Sequence, residues 1–413
     1  MYRVSTFLRD FALALLAGSV LATLWVNIAP AHYYDAMEWR LVDLALPGWM
    51  AAEPYGLTPV RLVTEALMAL FLFFLGKEMW EALMLDRGAL HGRRAGVPML
   101  AAVSAMSGAA IGWLVLSAVL ETAEEAYPGA GWVVPLGSDV VLGYLFGLLL
   151  FGRGHPALHV LLLITIAMDI AGLVLLGLAY PETGLTLAWL ILPVLAALGA
   201  WWLAGRRANH RASERLRRRS LQLWPYVCAG ILSWIGVFAA GLPPALGLLP
   251  IIPVMPHADH AFGLFAEAEE FLSDPLNRLA HLLVRPMMVI LFLFGLTQGG
   301  IDLGALAPTT WVTLGSLWIA KPLGMLAGVV LLAPVFGFPM PRGLRLRHMV
   351  AIAGLCGMGF TVPLLSLPTG LPGGAMQEAA RLGLAISLLA GPALILIRRA
   401  LPRRQALPGR TSR

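Results

Sequence analysis

The sequence predicts an all-α polytopic membrane protein of about twelve transmembrane helices. Three observations predict it. Hydrophobic residues make up 59% of the 413-residue chain and charged residues 13%, whereas soluble domains carry about 25% charged residues. About a dozen runs reach the roughly 20 apolar residues that a span needs. The basic residues fall in alternate connectors, the pattern that sets membrane orientation.

The candidate spans are 8–29, 61–84, 95–121, 132–151, 156–180, 184–205, 221–240, 241–255, 284–300, 308–332, 347–367 and 376–398. The first lies in MYRVSTFLRDFALALLAG, which has signal-peptide character. It shows no persuasive cleavage site and further spans follow at once, so it reads as a retained helix. The eighth is short and Pro-rich. Residues 1–405 read as one polytopic domain, with 406–413 as a cytoplasmic tail.

One side of the membrane collects Arg3, Arg9, Arg87, Arg93, Arg94, Arg153, the block RRANHRASERLRRRS (206–220), Arg278, Arg285, Arg342, Arg345, Arg347 and the tail from Arg398. The other side holds Glu121, Glu124, Glu125, Glu182 and Asp302, with Arg40 and Arg61 near the first loop. Twelve spans with both termini in the cytoplasm satisfy this asymmetry. A net charge of +6 in a soluble chain would suggest nucleic acid. Here the positive charge sits in connectors, so the expected partner is the lipid bilayer and not a nucleic acid. Block 206–220 reads as an orientation signal rather than a lipid-binding patch. Cys228 and Cys356 both lie in apolar runs and suggest neither a disulfide framework nor a metal site. Zinc-ligand spacing, a nucleotide loop and a Ser/His/Asp set are all missing, which argues against an enzyme. The His residues at 155, 210, 257, 260, 281 and 348 fall mostly in connectors.

Some charges do not lie in connectors. The chain has 27 Arg and two Lys, and both Lys lie in or at the end of apolar runs, Lys77 in FFLGKEMW and Lys321 in SLWIAKPLGM. Arg stays protonated, whereas a buried Lys can lose its proton. Snorkelling to the interface is an equal reading for Lys77, whose neighbours Glu78 and Glu81 suggest an interfacial ion-pair cluster. Lys321 lies halfway along its span, where snorkelling fits less well. Asp139, in VVPLGSDVVLGYLFG, and Asp169, in ITIAMDIAGLVLL, are also deep. A charge at a helix centre costs about 2.5–3.5 kcal/mol on insertion scales. Such groups face a cavity, pair with one another or carry ions. Capping of a broken helix is the competing reading, stronger for Asp139, which follows Pro135 and Gly137. Thr165 and Asp169 are four residues apart and share a helix face. Gly172 would let another backbone approach. Met168 projects about 100° around the helix from Asp169. Ser138 offers a hydroxyl and a carbonyl as cation ligands.

Two apolar runs contain helix breakers. PLGSDVVLG (135–143) and GLCGMGFTVP (354–363) each occupy the middle helix of a three-span group, and the two groups start on opposite sides of the membrane. Secondary transporters often place two unwound helices at matching positions of inverted halves. Simple kinks without a ligand role are the weaker reading.

At these residues the chain resembles the NhaA-type sodium/proton antiporters. AKPLG resembles the family's tenth-helix lysine motif, with Lys321 as the lysine. GLCGMGFTVPLL, with Gly357, Gly359 and Thr361, resembles its broken eleventh helix. LGSDVVLGYLFGLL, with Gly137, Ser138 and Asp139, resembles its fourth-helix pattern. LFLFFLGKEMWEALM resembles the end of helix two, and Glu78 matches an acidic position there. ARLGLAIS (380–387) resembles the start of helix twelve, and NRLAHLL (277–283) the entry to helix nine. The resemblance implies twelve helices in a core and an interface domain, with inverted-repeat units at 95–180 and 308–398. It implies a bacterial inner-membrane location and a homodimer formed partly through an extracellular hairpin, for which 31–60 is the candidate. No cofactor is expected, only a transported monovalent cation and protons.

The departures matter as much. The family carries two adjacent aspartates on helix five, and this chain carries Met168–Asp169. The carboxylate associated with cation binding is kept, and the one opposite the helix-ten lysine becomes a thioether, a poor ligand for a hard cation. Trp80, Glu81 and Ala82 replace a basic–basic–acidic run. Ala280 replaces an acidic residue before His281. The family's pH response is therefore not expected, although Lys77, Glu78 and His281 remain candidates for the cytoplasmic funnel. The loop HADHAFGLFAEAEEF (257–271) is longer and more acidic than the family pattern.

The expected activity is cation/proton exchange by alternating access. Asp169 is the shared carboxylate, because burial disfavours its charged form and lets proton and cation compete. Ser138, Thr165 and unwound carbonyls complete an oxygen shell. Asp139 balances the broken-helix ends. Lys321 pairs with Asp169 or Asp139, or sits neutral against Met168. One carboxylate fewer predicts electroneutral or weakly electrogenic exchange. An NhaA-like carrier of another solute, or one without antiport, is the alternative.

Overall fold

Apolar segments without access to water must satisfy their own backbone groups, and here they do so as helices. The computed structural model describes residues 7–45, 55–84, 95–120, 130–181, 184–205, 222–256 and 275–400. Among the described residues, nine helical segments are long and apolar enough to cross a membrane, and one bent pair makes a tenth. Helix α1 is Phe7–Ile28, followed by the short α2 (Pro30–Glu38). Then come α3 (Pro59–Met84) and α4 (Gly96–Val119). The segment Val134–Phe151 begins as a 3-10 turn at Val134–Leu136 and becomes α5 at Val140–Phe151. It is followed by α6 (Pro156–Ala179) and α7 (Leu187–Ala204).

The seventh and eighth expected spans are shorter than the others. They form α8 (Trp224–Ala239) and the 11-residue α9 (Pro244–Val254). The expectation of a full span at 241–255 is corrected. Pro243, Pro244, Pro250 and Pro253 remove the donors that an α-helical ladder needs, leaving 3-10 turns. The chain continues as α10 (Pro275–Gln298), α11 (Pro308–Val335), the bent pair α12 (Leu346–Cys356) and α13 (Thr361–Gly370), and α14 (Ala375–Ala400).

Helix starts follow local rules. Pro occupies the first turn of α2, α3, α6 and α11, where its missing N–H costs nothing. Thr58 caps α3 by accepting from Arg61 N at 3.2 Å. His155 caps α6 by accepting from Ala157 N at 3.1 Å. Within 31–60, strands β1 (Val42–Leu44) and β2 (Tyr55–Leu57) pair antiparallel, with Val42 opposite Leu57. The connecting residues 46–54, with Pro47 and Pro54, lie outside the described residues, as do 85–94, 121–129, block 206–220, loop 257–271 and tail 406–413.

Two seams organise the helices. α1 packs along α10, and α4 lies between α6 and α11. At the second seam Gly108 and Gly324 bring the backbones of α4 and α11 together. A Cβ built on Gly324 would lie 2.7 Å from Gly108 Cα. Small residues allow such approach where no hydrophobic effect drives helices together. The seam fixes the height of Lys321, one turn from Gly324. Just before it, Ser316–Ala320 widens into a π-helical turn.

Candidate functional site

Both interrupted runs unwind where they cross. The first leaves the 3-10 turn at Leu136, runs extended through Gly137, Ser138 and Asp139, and re-enters helix at Val140. The second leaves helix at Cys356 and re-enters at Thr361, with a bend of 48° between its halves. Gly357 and Gly359 permit the crossing. A Cβ on Gly357 would lie 2.7 Å from the Leu317 carbonyl of α11.

Unwinding leaves helix ends with unpaired donors and acceptors, and named side chains take them. Asp139 is fully buried and caps α5, with Oδ1 accepting from Leu142 N at 2.6 Å. Its Oδ2 accepts from both the N–H and the hydroxyl of Thr361 at 3.1 Å each. One carboxylate thus serves two helix N-termini, where the helix dipoles favour negative charge. Met358 O accepts from Asp139 N at 3.1 Å. The Ser138 hydroxyl donates to the carbonyls of Cys356 at 3.1 Å and Met358 at 3.2 Å.

The positive end is satisfied in the complementary way. Lys321 is fully buried in α11. Its ammonium donates to the Pro135 carbonyl at 2.9 Å and to the Gly137 carbonyl. Among the described residues it forms no ion pair. The expected pairing with Asp169 or Asp139 is corrected: the turn at Val134–Leu136 offers freed carbonyls nearer to Nζ than any carboxylate.

Asp169 stands apart from both ends. It is buried in the middle of α6 and receives one hydrogen bond, from Ser138 N to Oδ1 at 2.7 Å. Its Oδ2 is buried and has no hydrogen-bond partner among the described residues. Gly172, one turn on, lets the break approach, because a Cβ there would lie 3.4 Å from Gly137 N. Thr165 is buried on the same helix, but its hydroxyl donates back to the carbonyls of Leu161 and Leu162 at 3.0 Å each. That leaves its hydroxyl lone pairs as acceptors. Met168 is fully buried.

The structure thus brings Gly137, Ser138, Asp139, Thr361, Asp169 and Lys321 together around the crossing. Gly357 and Gly359 lie there too, whereas Lys77, Glu78 and His281 lie elsewhere. Lys77 is buried in α3 and pairs with Glu78 and Glu81, each at 3.1 Å. Its side chain is buried against the protein, and the ion-pair cluster with Glu78 and Glu81 read from the sequence is present. His281 lies exposed near the start of α10. Sequence reasoning missed Ser387, which accepts from Gly359 N at 3.0 Å and donates to Leu384 O at 2.6 Å, bracing the second break from α14. A hydroxyl at the end of ARLGLAIS was the only signal. It also missed the carbonyls of Pro135, Cys356 and Met358 as acceptors.

A chemical reading follows. A buried carboxylate oxygen without a partner, beside hydroxyl and carbonyl oxygens, can take a proton or a hard monovalent cation.

Comparison with known proteins identifies the family. The family described as Na+/H+ antiporter 1 matches residues 8–396. The Na(+)/H(+) antiporter NhaA of Jannaschia sp. is 39% identical over 411 residues, covering 96% of this chain and 97% of that protein. The Na(+)/H(+) antiporter NhaA 2 of Pelobacter propionicus is 32% identical over 386 residues, 93% of this chain and 94% of its own. Among solved structures, the sodium proton antiporter MjNhaP1 from Methanocaldococcus jannaschii at pH 8 shares the fold. Its TM-score is 0.51 at 13% identity, covering 94% of this chain and 98% of that one. With a match across nearly its whole length and relatives above 30% identity, the chain belongs to the Na+/H+ antiporter 1 family.

Proposed function

We propose that the protein exchanges a monovalent cation, sodium or lithium, for protons by alternating access, with Asp169 as the carboxylate that both ligands share. One observation carries the reading: a fully buried aspartate with one oxygen lacking a partner, at the crossing of two interrupted helices. Ser138, Thr165 and the unwound carbonyls supply neutral oxygens. A shell with a single negative charge favours a monovalent over a divalent ion.

Asp139 and Lys321 hold the helix ends in this scheme. Met168 leaves Asp169 as the only carboxylate on this stretch of α6, so exchange is electroneutral or weakly electrogenic. The same reading places 95–180 and 308–398 as inverted-repeat units in a bacterial inner membrane, with both termini cytoplasmic. It includes a homodimer joined partly through β1 and β2. The relatives' names support antiport, and the matching order of both breaks supports the repeat.

Purified protein in proteoliposomes with a trapped pH dye tests the reading. Sodium, lithium and potassium are added separately, beside Asp169→Asn. Cation-dependent proton movement lost in the variant is the expected result. No proton movement with any cation across a broad pH range would overturn antiport and turn the search to another solute.

A further inference from the structure

The peptide group between Gly137 and Ser138 has a partner at each end. Its carbonyl accepts from the Lys321 ammonium, and its N–H donates to Asp169 Oδ1 at 2.7 Å. Lys321 and Asp169 therefore touch the same planar, resonance-stiffened unit from opposite sides. A cation on the carbonyl oxygen pulls electron density away from the amide nitrogen and makes the N–H a stronger donor. All four residues are buried, so water does not dilute the effect. The second Lys321 bond, to Pro135 O at 2.9 Å, fixes the same stretch of backbone two residues upstream. Among the described residues the Ser138 N–H is the one donor to Asp169, and Oδ2 has no partner.

We infer that Lys321 is a positioning residue for Asp169, acting through the 137–138 peptide and not through an ion pair. It holds the peptide so that the Ser138 N–H faces the carboxylate, and it strengthens that donor. Oδ1 is thereby anchored, which leaves Oδ2 as the oxygen that meets an incoming cation. The inference rests on the proposed role of Asp169, and it makes a prediction of definite sign. If Lys321 acted only by its charge through space, it would repel sodium, and removing it would tighten binding. If it acts through the peptide, removing it loosens the carboxylate and weakens sodium binding.

The sequence makes the peptide observable. Gly is followed by Ser at only three places, 18–19, 137–138 and 315–316. Protein labelled with carbonyl-13C glycine and 15N serine, reconstituted in lipid, gives three nitrogen–carbonyl correlations by solid-state NMR. Ser138→Thr removes the one from 137–138, which assigns it, and the 18–19 signal reports intact folding. Lys321→Met is expected to move both the Gly137 carbonyl and the Ser138 nitrogen. Asp169→Asn is expected to move both nuclei from the other end. Sodium titrated against this signal is expected to half-saturate at about tenfold higher concentration in Lys321→Met.

A Ser138 nitrogen that stays in place when Lys321 is replaced would overturn the inference. So would sodium binding that is unchanged or tighter. If both substitutions move both nuclei while sodium moves nothing in the parent protein, the link through the peptide stands and the sodium reading fails. The two failures are therefore separable.

Discussion

Asp139 and Thr361, 222 residues apart in the chain, meet through two hydrogen bonds that join one broken helix to the other. The carboxylate also caps its own helix through Leu142 N. Loss of a single N-cap costs about 0.5–2 kcal/mol. Asp139→Ala removes two caps at once and is expected to lower stability by about 1–4 kcal/mol on that scale. Asp139→Asn keeps one accepting oxygen and is expected to lose roughly half as much. Thermal unfolding in detergent, followed by tryptophan fluorescence, checks the order parent, Asn, Ala.

Asp169 behaves in the opposite way, because it holds little of the fold together. Asp169→Asn is expected to abolish cation-coupled proton flux while unfolding at a temperature close to that of the parent. Sodium at a hundred times its dissociation constant stabilises a one-site binder by about 2.7 kcal/mol. Adding sodium is therefore expected to raise the melting temperature of the parent and leave Asp169→Asn unmoved. An equal rise in both would place the ion elsewhere.

Much of the site was legible because charge is conspicuous in apolar sequence. Asp139, Asp169 and Lys321 stood out on that ground alone, and Pro135, Gly137, Gly357 and Gly359 marked the breaks. The partners were not legible. Lys321 takes backbone carbonyls that exist only once Val134–Leu136 has unwound, and no residue type announces them. Ser387 braces Gly359 by a contact set by how α14 lies against the crossing. The three-residue strands at Val42–Leu44 and Tyr55–Leu57 are too short for a period-two pattern. The prolines of 243–253 are visible in the sequence, and they shorten the eighth segment to 3-10 turns.

Met168 bears on how many protons move. Met168→Asp restores a second carboxylate on α6, next to Asp169. The variant is expected to add a proton to each cycle and to make the transport rate respond to membrane voltage, where the parent responds weakly or not at all. Flux in potassium-clamped vesicles, with valinomycin setting the voltage, measures the difference. A parent strongly driven by voltage would remove the case for near-electroneutral exchange.

His155 gives an expectation for pH. Burial, then the guanidinium groups of Arg398 and Arg347, hold its imidazole below the ordinary histidine range. Its Nδ1 accepts from Ala157 N, so the neutral ring caps α6. The unfolded chain takes up a proton at higher pH than the folded one does. Stability from this group is therefore complete above the ordinary imidazole range and falls as pH drops through it. The ring packs on His348, with centroids 5.0 Å apart, which adds a second titrating neighbour. His155→Asn keeps a capping oxygen and does not titrate. It is expected to flatten the loss of stability between about pH 7 and 5, measured as melting temperature across that range.

The knot at the crossing also constrains motion. Ser138 and Asp139 bind Cys356, Met358 and Thr361, while Lys321 binds Pro135 and Gly137. Sliding one break past the other would strand several buried donors and acceptors, at about 1–3 kcal/mol each. Moving α5, α6, α11, α12 and α13 as a block strands none of them. The ends of two unwound helices, which could have been left open in the membrane, are thus fastened to each other. A change of access that keeps these bonds leaves the interior of the block as it is.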